Sequence, residues 1–455
     1  MLMTRDRGFY RSLFALSLPI ALQNLITFSV GLADNVMIGA LGDTAVSGVY
    51  VGNQVQTLLQ VFSGGIEGAI LIPAAQYWGK RDTESIRRIV AIGMRLSLLF
   101  GGLLTLVCAL FPSWILSLFS RDGSVVAAGA EYLGTVCFSF AFFCLTQAMI
   151  AAMRSVEAAR VGLYVSLCSL GLNVTLNYLL IFGKGSFPAL GVQGAAIATL
   201  IARIAEAAIV TVYALAVDRR LQLRLRHLFK TDRALFRDFV RYGAPVVGGQ
   251  LVWAANLLLG AAILGTFTKE VLAAVSVTGT MNNLCYVVMN GMAGAVGIIT
   301  GKTIGEGDIP RMKEYARTVQ VIFLALGLVT SGALWLAMEP FLSLYGISPQ
   351  AAGYARGLLR VLSVTIVGTC YQCACLFGLV KSGGDVSFVF KNDAIFVFLI
   401  VLPSAYVAMR LGAPPWVVFA LLKCDQLLKC IVAAIKINRF RWIKPLTRAA
   451  QGAAG

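Results

Sequence analysis

The feature that most restricts this chain is a succession of apolar runs, each long enough to cross a bilayer, broken by short charged or Gly/Pro-rich turns. The runs fall at 13–39, 47–78, 86–111, 126–152, 158–182, 190–217, 237–266, 271–301, 312–338, 355–380, 388–411 and 414–435. About 20 residues at a rise of 1.5 Å cross the hydrocarbon core, where backbone amides must be satisfied within their own segment. Runs of this length therefore fold as helices. Only 13% of the residues are charged and 58% are hydrophobic, which excludes a soluble globular domain. The expected fold class is an all-α polytopic membrane protein with twelve transmembrane helices.

The formal charge of +17 does not mark a nucleic-acid partner, because the basic residues sit in short clusters between apolar runs and not on one face or tail. They serve as a topology signal. Arg5, Arg7 and Arg11, then Lys80 to Arg88, Arg154 and Arg160, Arg219 to Arg241, Lys302 to Arg317, Lys381 and Lys391, and finally Lys436 to Arg448 occupy every second connection and both ends. The other loops hold few, such as Arg121, Lys184, Lys269 and Arg410. By the positive-inside bias the protein is expected to be multi-pass in the plasma (inner) membrane with both termini cytoplasmic. The start, MLMTRDRGFYR, leads into a first run too long for a signal h-region and lacks a small-residue cleavage site, so span one is expected to remain in the mature protein.

Span one of the chain also repeats in span seven. At a constant offset of 226, Pro19 meets Pro245, Leu25 meets Leu251, Gly39 meets Gly265, and Val51 meets Val277. The same register carries Gly65 onto Gly291, Gly68 onto Gly294, Gly79 onto Gly305, and Asp82 onto Asp308. Each half holds an even number of spans, so the repeats run parallel, as two six-helix bundles related by a pseudo-two-fold axis along the membrane normal. The expected domains are an amino-terminal lobe at 1–217, a basic cytoplasmic linker at 218–236 and a carboxy-terminal lobe with its tail at 237–455. The linker's Arg/Leu alternation suits either a solvated connection or an amphipathic segment on anionic lipid.

Within span one lies an acid, Asp34, in the sequence FALSLPIALQNLITFSVGLADNVMIGAL. A carboxylate at a membrane helix centre costs roughly 2.5–3.5 kcal/mol on insertion scales, so it is expected to face a cavity or a partner. Counted at helical rise from the outer span ends, Asp34 lies about 13 Å deep, Asn177 and Asn173 on span five about 10 and 16 Å, and Thr199 on span six about 12 Å. Asn173 and Asn177 are four residues apart and share a helix face. A carboxyl group with amide and hydroxyl oxygens suits a hard monovalent cation or a proton-sharing network, and the carboxyl can cycle between protonated and charged. Each Asn alone would serve as interhelical hydrogen-bond glue; the set with Asp34 points to function. In the repeat Asp34 falls on Gly260, so the acid lies outside the shared scaffold.

Other polar groups in the spans carry two readings each. Glu67 on span two is a second protonatable candidate, or a partner for Arg95. Arg203 and Glu206, three apart on span six, are expected to neutralise each other. Lys423, Asp425, Gln426 and Lys429 on span twelve, with Lys391 and Asp393 on span eleven, read as an ion-pair network, with a cavity-facing role as the lesser alternative. Met281, Tyr286, Met289 and Met292 on span eight and Tyr371 and Gln372 on span ten could line an adaptable substrate cavity, or pack between helices. The ten cysteines fall in the spans, where they act as small apolar residues with no disulfide framework expected. With a single histidine, His227 in the linker, no metal centre is expected from Cys370, Cys373 and Cys375.

Five stretches taken in order resemble the multidrug and toxic compound extrusion (MATE) family over nearly the whole chain: Leu18 to Val49, Ala74 to Asp82 (AAQYWGKRD), Leu172 to Gly183 (LNVTLNYLLIFG), Ala189 to Thr199 (ALGVQGAAIAT) and Lys381 to Phe388 (KSGGDVSF). The resemblance implies an antiporter that needs no cofactor and exports small lipophilic, often cationic compounds against H⁺ or Na⁺ by rocker-switch motion, acting as a monomer in lipid. It places the family's amino-lobe cation site on Asp34, Asn173, Asn177 and Thr199. Asn177 stands where some members have Asp, which removes a charge. On spans seven and ten, where some Na⁺-coupled members carry acids, this chain offers Gln250, Asn256 and Gln372, so that these join the substrate-cavity candidates. Two alternatives remain. A lipid-linked precursor flippase of the same superfamily predicts unpaired cations in a large cavity, whereas most basic residues here lie in loops. An enzyme is not expected, since the chain has no Asp-rich diphosphate motif, no His/Cys metal set and no nucleophile–base pair.

Overall fold

The computed structural model describes residues 3–448 apart from 186, 229–231, 344 and 346. Among the described residues the chain is helical, with no strand. Eleven helices among the described residues are long and apolar enough to cross a membrane. They are α1 (Arg7–Gly39), α2 (Asp43–Gly79), α3 (Thr83–Leu110), α4 (Gly123–Ser155), α5 (Arg160–Phe182), α6 (Gly191–Val217), α7 (Arg233–Leu264), α8 (Lys269–Glu306), α9 (Ile309–Ser343), α10 (Pro349–Lys381) and α11 (Val386–Arg410). Large apolar side chains on their outer faces stay uncovered by protein, such as Leu99 on α3 (70% exposed) and Leu336 on α9 (79%), as a lipid-facing surface requires. The ends are set locally. Asp82 accepts from the Ser85 amide (3.0 Å) to open α3, Asp122 does the same for Ser124 (2.9 Å) ahead of α4, and left-handed Gly183 (φ +64°) closes α5.

The run read as a twelfth span is two helices, α12 (Pro415–Leu422) and α13 (Asp425–Asn438). At the break the backbone tightens to three-residue turns, Cys424 N–H to Leu421 O (3.3 Å) and Gln426 N–H to Lys423 O (3.1 Å). Just after the break Lys429 bridges Asp393 of α11 and Asp425 of its own helix, each at 2.9 Å. A break of another kind lies inside α4, where a 3₁₀ turn at Cys137–Ser139 frees a carbonyl that the Thr105 hydroxyl of α3 takes up (2.9 Å).

By internal contacts the chain sorts into two compact units. The first comprises Leu22–Ala74 and Arg81–Val247; the second comprises the chain before residue 22, residues 75–80 and everything from residue 248 on. In α1 and α7 the border comes two residues after Pro19 and Pro245, the repeat-related positions at which a missing N–H weakens the helix ladder. The first unit is built on an apolar core of Val55, Leu59, Leu133, Phe140 and Ile181, with Phe62 stacked on Phe100 at 3.6 Å. Its linker is bound to it: Arg87 donates to the Leu221 carbonyl (2.7 Å), Arg88 pairs with Asp232 (3.0 Å), and Leu221 and Leu223 are buried. These two leucines of the Arg/Leu alternation thus pack against protein.

In the second unit both chain ends are fastened. Near the start, the Thr4 amide donates to the Thr318 hydroxyl of α9 (2.8 Å), while Arg311 (2.9 Å) and the Tyr315 hydroxyl both donate to Asp6. Those two donors, Tyr315 first, hold the Asp6 carboxyl down at about 2, against the usual 3.8. A folded value below the unfolded one means that this latch is fully formed above about pH 4 and is lost as the pH falls toward 2. The expected result is that the Gly8 amide, which donates to Asp6 at 2.8 Å, loses hydrogen-exchange protection across that window, and that Asp6→Asn removes the transition. Near the other end, fully buried Trp442 anchors a strap whose Lys444 pairs with Asp385 (2.8 Å) and whose Leu446 amide donates to Gln76 of α2 (2.7 Å).

Candidate functional site

Asp34 sits on α1 facing α5 within the first unit. The Asn177 side-chain N–H₂ donates both to Asp34 and to the Asn173 carbonyl (3.2 Å), so the four-residue spacing on α5 becomes a hydrogen-bonded chain running back from the acid. Asn173 and Asn177 are buried, whereas Asp34 is half-buried. The Asn177 carbonyl oxygen is enclosed and has no hydrogen-bond partner. Among the described residues no lysine or arginine forms an ion pair with Asp34.

In front of the acid lies a cavity of about 240 Å³ formed by α1, α2, α4, α5 and α6. Asp34, Asn173 and Thr199 line it, while Asn177 stands behind them as the bridge. The depths counted along the helices thus converge on one place. Ser169 and Ser166 extend the α5 face one and two turns from Asn173, and α2 contributes Asn53, Gln56, Thr57 and Gln60. This last group escaped the sequence reading although its three- and four-residue spacing in NQVQTLLQ marks a polar stripe on an otherwise apolar helix. Tyr132 of α4 also lines the cavity and its hydroxyl donates to Asn53 (3.4 Å). No local spacing announces it, since it reaches the site from 79 residues away. The oxygens of Asp34, Asn173 and Thr199 are the donor set on which a monovalent cation or a proton network would rest.

Arg203 and Glu206 form the expected pair (2.7 Å), but both also line the cavity, which their spacing alone does not reveal. Glu67 takes Arg154 of α4 as its ion-pair partner, where the sequence offered Arg95, and Arg154 donates in turn to Gln23 (2.9 Å). That cluster is separate from the cavity lining.

The substrate-cavity candidates of the second unit are placed as follows. Met281 and Met289 are buried in its apolar core, with Tyr286 packed against them. Tyr371 donates to Gln320 of α9 (2.8 Å), and Gln372 donates to Gln426 of α13. Gln250 and Asn256 are half-buried on α7, the Asn256 carbonyl oxygen enclosed and without a partner. Lys429, Asp393, Asp425 and Gln426 form the network read from the sequence; among the described residues Lys391 is not bonded into it, and Lys423 lies 6.0 Å over the Phe419 ring.

A helical fold of membrane-spanning elements around a polar intramembrane cavity is the architecture of a membrane transporter. The MatE family model matches residues 19–179 and again 245–407, so the chain belongs to the MATE family of transporters. The two matches begin at the repeat-related prolines. The chain is 29% identical over 335 residues to a probable multidrug resistance protein NorM of Rhizobium meliloti (strain 1021), covering 73% of this chain and 70% of that one. A probable multidrug resistance protein NorM of Thermotoga maritima is 25% identical over 79% of this chain and 76% of its own length. The fold is that of a MATE protein crystallised in complex with MaL6 (TM-score 0.85, 19% identity, covering 94% of this chain and 96% of that one). It is also that of a MOP superfamily transporter from Pyrococcus furiosus (TM-score 0.84, 19% identity, covering 96% and 99%).

Proposed function

We propose that the protein is a secondary active antiporter of the inner membrane that exports lipophilic, often cationic compounds in exchange for H⁺ or Na⁺, with both termini cytoplasmic and no cofactor beyond the coupling ion. The observation that carries this reading is an intramembrane carboxyl with no basic ion-pair partner among the described residues, set on a polar cavity and bonded to an amide that can serve two states. When Asp34 is charged, the Asn177 N–H₂ donates to it. When a proton occupies the carboxyl, the same amide turned over offers its unpartnered oxygen to the acid's O–H. With Na⁺, the Asp34 carboxylate, the Asn173 carbonyl and the Thr199 hydroxyl supply oxygens of the kind that a hard cation prefers. Occupancy changes the charge of the amino-terminal site by one, and rocker-switch motion of the two repeats would turn that change into alternating access. Relatives named as probable multidrug resistance proteins support this substrate class for the present chain.

The test is efflux of a fluorescent cation from proteoliposomes under separately imposed pH and Na⁺ gradients. One gradient is expected to drive accumulation in the opposite direction to its own flow. Efflux indifferent to both would overturn the reading.

A further inference from the structure

Asp34 shares its cavity with a second carboxylate and a permanent cation. Arg203 and Glu206 line the same space of about 240 Å³, and the charge of Arg203 reaches Asp34. The remaining titratable group on the lining is Tyr132 of α4; the polar groups that α2 and α5 turn to the space are amides and hydroxyls. The guanidinium is held by a bond from Nη1 to Glu206 (2.7 Å) and by the Phe143 ring, 5.0 Å from its centre. It retains other donors that could serve a second carboxylate. Its side chain keeps 23% of its surface open while that of Glu206 keeps 8%, so the acid is the fixed member of the pair and the base the movable one.

Resting on the antiport reading, we infer that Arg203 decides which ion this cavity accepts: Glu206 parks the guanidinium beside Asp34 without letting it pair there, and the parked charge turns sodium away. A metal ion seated on Asp34, Asn173 and Thr199 would stand in one small cavity with a guanidinium that cannot lose its charge. Between membrane helices that repulsion is screened less than it would be in bulk water. The same oxygens without Arg203 make an acceptable site for an alkali cation, so selectivity rests on the arginine and not on the ligand set. Glu206 is a positioning residue. Removing its charge frees Arg203 to neutralise Asp34, which would lock the very group that must change its occupancy.

The experiment uses the full-length protein in proteoliposomes, with a fluorescent organic cation as the exported probe and sodium and pH gradients imposed one at a time. Wild-type export is expected to follow the pH gradient and to ignore sodium at clamped pH. Arg203→Gln is expected to gain at least a threefold stimulation by a sodium gradient, while Arg203→Lys, which keeps the charge, stays indifferent to it. Glu206→Gln should export at least tenfold more slowly, and the double variant Arg203→Gln/Glu206→Gln should recover most of that loss, a rescue that a merely structural ion pair would not produce. Wild-type export driven by sodium at clamped pH would overturn the inference while leaving the antiport reading in place, and this arm needs no variant to fold. Normal export by Glu206→Gln, or no recovery in a double variant with wild-type thermal stability, would also overturn it. If neither gradient drives the wild type, the antiport reading itself has failed.

Discussion

Asp34→Asn is expected to give a protein that folds and inserts normally yet loses gradient-driven export by at least about tenfold. The substitution keeps the size of the side chain and an oxygen that can accept from Asn177, so the chain of bonds from α1 through Asn177 to Asn173 survives. What disappears is the only charge on α1 that lines the cavity, and with it the difference between the occupied and empty site. The scale of the loss follows from what one charge can do: moved across 100 mV it gains about 2.3 kcal/mol, roughly a fifty-fold gradient. Thermal stability should change by less than about 1 kcal/mol, because no buried group is left without a partner that had one before. The measurement is initial efflux rate against imposed gradient, beside a melting curve on the same preparation. Coupled export by a well-folded Asp34→Asn protein would remove this carboxyl from the mechanism.

Much of this site was legible because depth along a membrane helix is a count of residues. Asp34, Asn173, Asn177 and Thr199 lie at matching depths by helical rise alone, and the structure brings the first three into one bonded chain and Thr199 onto the same cavity. Facing is another matter, because the direction a helix presents depends on neighbours that the sequence does not order. Arg203 and Glu206 were readable as a pair from their spacing, but that both look into the cavity with Asp34 depends on how α6 rotates against α1 and α5. Glu67 is the same lesson at longer range: Arg154 stands 87 residues away, so nothing local prefers it over Arg95. The last span is apolar enough to read as one helix, and only the structure shows it divided at Lys423 and Cys424, one turn before Lys429 pairs with Asp393 of α11.

Gly305→Leu is expected to abolish export, by more than about tenfold, through a contact that the repeat register foreshadows without revealing. Gly79 and Gly305 occupy equivalent places in the two repeats, and in the structure they meet, where the end of α2 crosses α8 within the second unit. A Cβ on Gly305 would overlap the Gln76 carbonyl oxygen; one on Gly79 would overlap the Lys302 carbonyl oxygen and come within 2.9 Å of the Gly305 Cα. One turn earlier, a Cβ on Gly301 would lie 2.7 Å from that of Ala75. Two backbones this close leave no room for any side chain, the logic of small residues four apart in membrane helix pairs. Nor can α2 yield cheaply, since Gln76 is fully buried with its amide bonded to the Leu446 N–H (2.7 Å) and the Lys444 carbonyl (3.4 Å). Overpacking of this kind costs about 1–3 kcal/mol or more, and it falls on one arrangement of the helices. A chain that remains folded must hold α2 and α8 further apart at this point, and export is expected to fail with the lost packing. Gly102→Leu on α3, where a Cβ meets nothing within 4 Å, is the matched control and should export normally. Export at the wild-type rate by Gly305→Leu would mean that the crossing opens without consequence, and that the contact binding residues 75–80 to the second unit plays no part in transport.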